Sequence, residues 1–375
     1  MMYPKRLLVT ALCILNILGY GAYPVPVSAQ TDAPAVSVVT QSSETARLRR
    51  NGWKGFSQLS TGAAVQFGDL IDPKGGTVRV LCADLTERTI TRPGPLPCPR
   101  ERGVLVQSGL SLAGWQRGQS EDVTIPFLIT PRATDVLTTH PLIWWNTTID
   151  AEGYRITVRG DGLNWSTDID DPAQNQLEYP DDAPPLKRGQ TYTVVVSELI
   201  RHKVGHSSTE EDAPGMSFRV LGNAEAEIIR ENADRLTNRL REAETRDMVL
   251  AFYYQQVGMK AEAVRLLMGL TGDLLMPADT SKLPAPKSAV LYLRLGDLCL
   301  ETGIDLYASV AYAKALEIAT SAGDVETQAL AATGLAMLSP DADKRTAYIE
   351  QALTSWEKIG ATSRLEELKK EFQLP

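Results

Sequence analysis

The sequence is poor in the residues that most often build reaction centres. Its 375 residues include three histidines and four cysteines, and no Cys-x-x-Cys pair, so the usual zinc sites and thioredoxin-type chemistry lack support. The phosphate loop GxxxxGK, the dinucleotide loop GxGxxG and the nucleophile elbow GxSxG are also missing. His202 and His206 are four residues apart, but they fall in a predicted hairpin turn rather than on a helix. We therefore expect a protein without catalytic activity, cofactor or metal.

Positive charge is also scarce. The formal net charge is −8, and an acidic chain is repelled by nucleic acids and by anionic lipid. With 43% hydrophobic and 22% charged residues, the composition is typical of folded domains rather than of disorder. The length allows two or three domains. We expect no nucleic-acid partner.

The N-terminus has the pattern of an export signal. Lys5 and Arg6 precede an uncharged apolar run over residues 7–22, and Val27-Ser28-Ala29 matches the small-x-small site of a signal peptidase. Residues 1–29 are predicted to be a cleaved signal peptide, and the alternative is a retained membrane anchor. Cleavage would leave 36 basic and 46 acidic residues, a formal charge of −10. We expect a periplasmic or extracellular protein with no later membrane span.

The cysteines fit an oxidising compartment. Cys82 and Cys98 flank a short proline-containing stretch, and an exported chain can join them in a disulfide that staples this loop. The alternative is two free thiols. Cys299 falls on the inner face of a predicted helix and is expected to be a small core residue.

The next part of the chain has the patterns of β structure. Residues 30–45 are rich in Thr, Ser, Ala and Gln, and they are predicted to be a flexible linker. Residues 46–125 show short alternating runs separated by glycine turns, such as Thr77–Cys82, and are predicted to form a β-domain. This region resembles the FecR-like β-domain through Gly62, Gly68, Asp69, Val78, Val80, Leu81 and Asp84. The resemblance implies a periplasmic regulatory or cell-surface module.

Residues 126–222 are predicted to form a second β-domain. Strands are expected at Pro141–Trp145, Tyr154–Val158, Tyr192–Val196 and Met216–Leu221. The order of these strands resembles a fibronectin type III or related immunoglobulin-like sandwich, which implies a spacer or an adhesion surface. Trp144 and Trp145 point to opposite faces of their strand. One should fill the sandwich, and its neighbour is then exposed or covered by the next domain.

Residues 223–375 are rich in Ala, Leu, Glu and Arg, and they predict helix pairs. Glu244–Thr271 and Ser288–Gly323 place small and large apolar residues at the same offsets, and Val325–Ile359 forms a looser third unit. The best unit resembles a tetratricopeptide repeat through Tyr292, Leu295, Gly296, Ala308, Tyr312 and Ala315. The alternative is an irregular helical bundle. The resemblance implies a concave surface that holds a peptide or a partner protein.

These observations predict a multidomain protein with an all-β N-terminal half and an all-α C-terminal half. We expect an exported, non-enzymatic scaffold or adaptor that binds a protein or peptide through the first helix of each pair. The residues predicted to carry this binding are Tyr253, Gln256, Tyr292, Arg294 and Asp297.

An alternative function places the activity in the β-domains. They would bind cell-envelope polysaccharide by stacking sugar rings on exposed tryptophans. The candidate platforms are Trp53, Trp115 and Trp145.

Overall fold

The computed structural model describes residues 37–99, 125–208, 216–271 and 288–374. Within them, strands occupy the chain from Ser37 to Val220, and eight helices follow between Asn223 and Glu371. The predicted fold class, a β-rich half followed by a helical half, is confirmed. The predicted signal peptide and cleavage site lie outside the described residues. No helix of the described part is long and apolar enough to cross a membrane.

Residues 37–99, which we call the first β module, form two antiparallel four-stranded sheets. Their strand orders are β4-β1-β6-β7 and β3-β2-β5-β8. Side chains along a strand point alternately to its two faces. In β6, Val78 and Val80 point into the core and are buried, while Arg79 between them is exposed. The strands are β1 Ser37–Ser42, β2 Arg47–Arg49, β3 Ser57–Gln58, β4 Ala64–Val65, β5 Leu70–Asp72, β6 Val78–Leu81, β7 Glu87–Ile90 and β8 Gly94–Pro95.

The predicted flexible linker over residues 30–45 is wrong for its second half. β1 is an inner strand that pairs with both β4 and β6, and Val38 and Val39 are buried. The polar composition of this segment gave no sign of a strand, because its partners lie more than twenty residues further along the chain.

Cys82 and Cys98 form a disulfide with a Cα–Cα distance of 5.5 Å. The bond links the residue after β6 to the segment after β8, so it joins the ends of the two sheets. Cys299 is a buried free thiol.

Residues 125–208 and 216–222 form the sandwich module. One sheet has the order β10-β17-β15-β12-β13 with β16 paired to β15, and the other has the order β14-β11-β9. β10 and β17 pair in parallel, and the remaining pairs are antiparallel. The strands are β9 Leu128–Thr130, β10 Thr134–Val136, β11 Leu142–Trp145, β12 Gly153–Gly160, β13 Leu163–Ile169, β14 Gln176–Glu178, β15 Thr191–Ile200, β16 Lys203–Ser207 and β17 Ser217–Val220.

The two tryptophans of β11 serve different cores. Trp145 is fully buried between the sheets and contacts Tyr154 edge to face at 5.6 Å between ring centroids. Trp144 points the other way and belongs to the core that contains the helices. The neighbouring helices therefore cover the second tryptophan.

The helices form antiparallel pairs that stack into a layered array, defined here as residues 223–271 and 288–374. The most extensive contacts between helices join α4 to α5, α5 to α6 and α6 to α7. The helices are α1 Asn223–Arg239, α2 Ala243–Gln256, α3 Lys260–Thr271, α4 Ala289–Glu301, α5 Asp305–Ala322, α6 Val325–Leu338, α7 Ala342–Lys358 and α8 Thr362–Glu371.

Small residues set the spacing of these helices. The ring of Tyr312 on α5 lies between Gly296 on α4 and Gly334 on α6. A Cβ atom at Gly296 would lie 2.7 Å from the ring, and one at Gly334 would lie 2.5 Å from it. The three helices can therefore pack around this one buried ring only because α4 and α6 each have a glycine at the point of contact.

Both β modules pack against the array. One hydrophobic core contains Val38 and Leu81 from the first β module, Phe127 and Trp144 from the sandwich module, and the inner side chains of the helices. The three predicted domains thus share a core, and the array does not bury its apolar face alone.

Candidate functional site

The residues predicted to bind a partner are mostly not accessible. Tyr253 is 3% exposed, Tyr292 5%, Arg294 7% and Asp297 8%. Gln256 alone of the five is half-buried. The prediction that these side chains carry partner binding is therefore wrong for these four residues, because they are buried. The first helices of the pairs are covered, and every residue of α4 from Ala289 to Leu300 is buried.

Part of the cover is a segment of the first β module, residues 50–62, which we call the crossing segment. Near its end, Gly62 adopts φ +89°, and a Cβ there would lie 3.2 Å from Sδ of Met248 on α2. The Ser288 hydroxyl at the start of α4 donates a hydrogen bond to the Thr61 carbonyl at 2.6 Å. The segment therefore reaches the junction between the first two helix pairs.

Main-chain hydrogen bonds fix the crossing segment to the turns between helices. The amides of Lys54 and Gly55 donate to the carbonyl of Ile359, after α7, at 3.0 and 2.9 Å. Trp53 packs edge to face on Trp356 with 6.0 Å between ring centroids. Because main-chain groups carry these bonds, the part of the segment around Trp53 is held through its backbone shape and one aromatic anchor.

An arginine whose side chain is only 10% exposed joins the first β module to the array. Arg50 contacts Glu326 on α6 with both Nε and Nη2, at 2.5 and 2.9 Å, and its Nη1 lies 3.0 Å from Asp69. Burial raises the pKa of Asp69 to about 6, although Arg50 acts in the opposite direction. Sequence reasoning missed Arg50 and Glu326 as a pair, because 276 positions separate them and neither lies in a motif.

Asp324 provides a second polar contact. It caps α6 by accepting from the Thr327 amide at 3.1 Å, and it also accepts from the hydroxyls of Ser57 and Ser60 at 3.2 and 2.8 Å. Burial raises the pKa of the Asp324 carboxyl, and the hydroxyl and amide donors lower it. One carboxylate thus serves as both a helix cap and an anchor for the crossing segment.

The predicted binding residues Arg294 and Asp297 have a structural role instead. Arg294 lies over the ring of Phe252 and 3.7 Å from Asp297, whose other oxygen accepts from the Tyr312 hydroxyl at 3.0 Å. Burial raises the pKa of Asp297 to about 7. These side chains contact one another inside the array, although Nε of Arg294 has no hydrogen-bond partner among the described residues.

The sandwich module holds the opposite edge of the array. Nε of the buried Arg132 donates to the carbonyl of Thr302, between α4 and α5, at 2.5 Å. The Asp135 amide donates to the carbonyl of Gly258, between α2 and α3, at 3.0 Å. Both edges of the array are therefore fixed by β structure from the same chain.

The tryptophans proposed as sugar platforms do not provide them. Trp53 is 8% exposed, and Trp145 is fully buried, so neither ring face is free to stack on a sugar. Trp115 lies outside the described residues. Two of the three side chains named for polysaccharide binding are thus corrected to core positions.

The histidine pair lies where a hairpin was predicted. His202 has φ +60° in the turn between β15 and β16, and both His202 and His206 are exposed. Within the described ranges, no group of three or more His, Cys, Asp or Glu side chains is arranged to hold a metal ion.

Comparison with known proteins does not identify a family for this chain. No protein-family model and no curated protein matches the chain. A solved structure of the FN1-FN3 domains of chicken CNTN1 is similar at 11% sequence identity, over 49% of this chain and 57% of that chain, with a TM-score of 0.19. The alignment therefore spans just over half of that chain. So low a TM-score supports no conclusion about this protein.

Proposed function

We propose that this chain is an exported, non-enzymatic adaptor that binds a partner protein or peptide through its helical array. In this proposal the first β module is FecR-like, the sandwich module is of the fibronectin type III or immunoglobulin-like kind, and the array consists of tetratricopeptide-like repeats. The repeat assignment is supported by the contact of the Tyr312 ring with Gly296 and by the complete burial of Ala315.

One observation supports polypeptide binding above the others: the array already holds a polypeptide segment of its own chain. The crossing segment is bound through backbone hydrogen bonds to Ile359 and by the packing of Trp53 on Trp356. Stacked helix pairs generally offer such extended surfaces. Here the inner surface is occupied, so the partner surface must lie elsewhere on the array.

The second helices of the pairs have exposed faces that offer such a surface, and we call these exposed faces of α5 and α7 their outer faces. Glu317 on α5 and Glu350 and Thr354 on α7 are exposed, while the inner residues of the same helices are buried. We therefore assign partner binding to the outer faces of α5 and α7. The β modules act as a brace that holds the helix pairs in one arrangement.

Charge-reversal variants of the mature chain test this assignment. The variant Glu317→Arg with Glu350→Arg changes the outer faces, and Glu178→Arg on exposed β14 is the matched control in the sandwich module. Each protein is cross-linked in the envelope fraction of its own host, and cross-linked peptides are identified by mass spectrometry. We expect cross-links from a partner to the array that the double variant loses and the control keeps.

The opposite pattern contradicts the adaptor proposal. If the control variant loses binding, or if the intact chain instead binds purified envelope polysaccharide regardless of the outer-helix changes, the activity belongs to the β modules. Circular dichroism of both variants serves as the check that each remains folded.

A further inference from the structure

A cavity of about 60 Å³ lies at the junction between the sandwich module and the array. It opens where the ends of β9 and β11 meet the first turn of α3, far along the chain from the crossing segment. It is lined by Thr130, Pro131, Val136, Thr138, Pro141, Leu142, Trp144, Ala261, Glu262 and Arg265. The cavity is thus formed by two modules and is independent of the proposed adaptor surface.

Two of the side chains that line this cavity carry a buried polar atom without a hydrogen-bond partner among the described residues. Nε1 of Trp144 is a buried donor, and the whole side chain is only 8% exposed. Oε2 of Glu262 is a buried acceptor. Buried polar groups are normally paired, so each such atom in a native structure calls for an explanation.

The two atoms are complementary in kind but do not satisfy each other. An indole N–H only donates, and an ionised carboxylate only accepts. A ligand that satisfies both needs an oxygen acceptor for Trp144 and N–H donors for Glu262. The aromatic wall also favours a cationic group, because a ring face attracts an ammonium.

Size limits the ligand further. One water molecule needs a cavity volume of roughly 10–15 Å³. The cavity of about 60 Å³ therefore accommodates a molecule of only a few heavy atoms. Arg265, exposed at the rim, adds a second donor group, which is positively charged and can meet a ligand oxygen.

We propose that this cavity binds a compact molecule bearing an ammonium group and a nearby oxygen acceptor, that is, a small amino acid or amino alcohol, with Glu262 receiving the ammonium and Trp144 donating to the oxygen. Burial raises the pKa of Glu262 to about 7, so the carboxylate form needed for this pairing dominates at pH 8 and above.

The indole N–H of Trp144 provides a direct reporter. The chain is labelled with ¹⁵N-indole tryptophan, its six signals are recorded at pH 8, and the Trp144 signal is assigned with Trp144→Phe. Glycine and ethanolamine are titrated separately. We expect a saturable shift of the Trp144 signal with one or both, and the ligand that produces it identifies the amino-acid or the amino-alcohol class.

Three comparisons define the chemistry. Glu262→Gln removes the charge without changing the shape, and binding should weaken about tenfold or more, the value of a hydrogen bond to a charged group. Glu366→Gln, an exposed change on α8, should leave binding unchanged. Methylammonium, which lacks the oxygen, should bind much more weakly than ethanolamine.

Three results overturn the proposal. The first is no saturable shift with either ligand at concentrations in the tens of millimolar, which means that water alone fills the cavity. The second is equal affinity for methylammonium. The third is unchanged binding by Glu262→Gln, provided that its circular dichroism matches that of the wild type.

Discussion

Arg50 of the first β module and Glu326 of α6 form a two-contact ion pair at 2.5 and 2.9 Å, with each side chain about one-tenth exposed. The pair crosses the boundary between β and helical structure. Because Arg50 also contacts Asp69, one guanidinium compensates two buried carboxylates.

Removing Arg50 should therefore destabilise the whole protein. In Arg50→Met, two buried carboxylates lose their counter-charge, and the breaking of a buried pair costs about 3–5 kcal/mol. Urea denaturation followed by circular dichroism measures the change. Arg155→Met is the matched control, since the Arg155–Asp168 pair is exposed and should contribute less than about 1 kcal/mol. Equal losses in the two variants would show that burial of the Arg50 pair is unimportant.

Glycine-to-alanine changes should separate packing from helix propensity. In Gly296→Ala or Gly334→Ala the new methyl group overlaps the ring of Tyr312, and we expect destabilisation of about 1–3 kcal/mol. Gly269→Ala in α3 meets nothing within 4 Å and should instead stabilise by up to about 1 kcal/mol. Thermal denaturation of the three variants gives the signs. A stabilised Gly296→Ala protein would contradict the close packing around Tyr312.

The buried carboxyl of Glu262 should make stability depend on pH. Its pKa is about 7 in the folded chain against 4.5 for the ordinary group, so the folded state binds the proton more tightly. This contribution to stability is fully present below about pH 4.5 and is lost as the pH rises through 7. Relative to wild type, Glu262→Gln should therefore become progressively more stable between pH 5 and 8.

Urea midpoints at pH 5 and pH 8 measure this effect. Glu371→Gln, at the exposed end of α8, is the control and should track the wild type at both values. A constant difference between Glu262→Gln and wild type across this range would show that Glu262 does not titrate abnormally.

The disulfide should contribute stability through the loop it closes. Cys82 and Cys98 are 16 positions apart, and closing a loop of this size stabilises a protein by about 3 kcal/mol. Cys82→Ala with Cys98→Ala should lower the urea midpoint accordingly. Dithiothreitol should shift the wild type in the same direction and leave the double variant unaffected. A wild type insensitive to complete reduction would contradict this.

Some of the fold could be read from local patterns. The predicted unit Ser288–Gly323 corresponds to α4 and α5, and the unit Val325–Ile359 corresponds to α6 and α7. Helix positions follow from residue spacing over a few turns, and such spacing is visible in the sequence. The alternating run Thr77–Cys82 likewise became β6.

The candidate binding residues show where this reasoning stops. Tyr292, Arg294 and Asp297 lie on the first helix of a repeat-like pair, and the resemblance to tetratricopeptide repeats places that helix on the partner-binding surface. Whether that face meets solvent depends on the crossing segment, which comes from more than two hundred positions earlier in the chain. Nothing local to α4 reports its presence.

The sequence by itself determined the order of the chain, with strands first and paired helices afterwards, since hydrophobic period and small-residue spacing act over neighbouring residues. Only the tertiary structure decided that β1 is an inner strand, that Arg50 meets Glu326, and that the inner helical surface is filled by the chain itself. These features depend on contacts between distant segments, where shape and charge match only after both segments have folded.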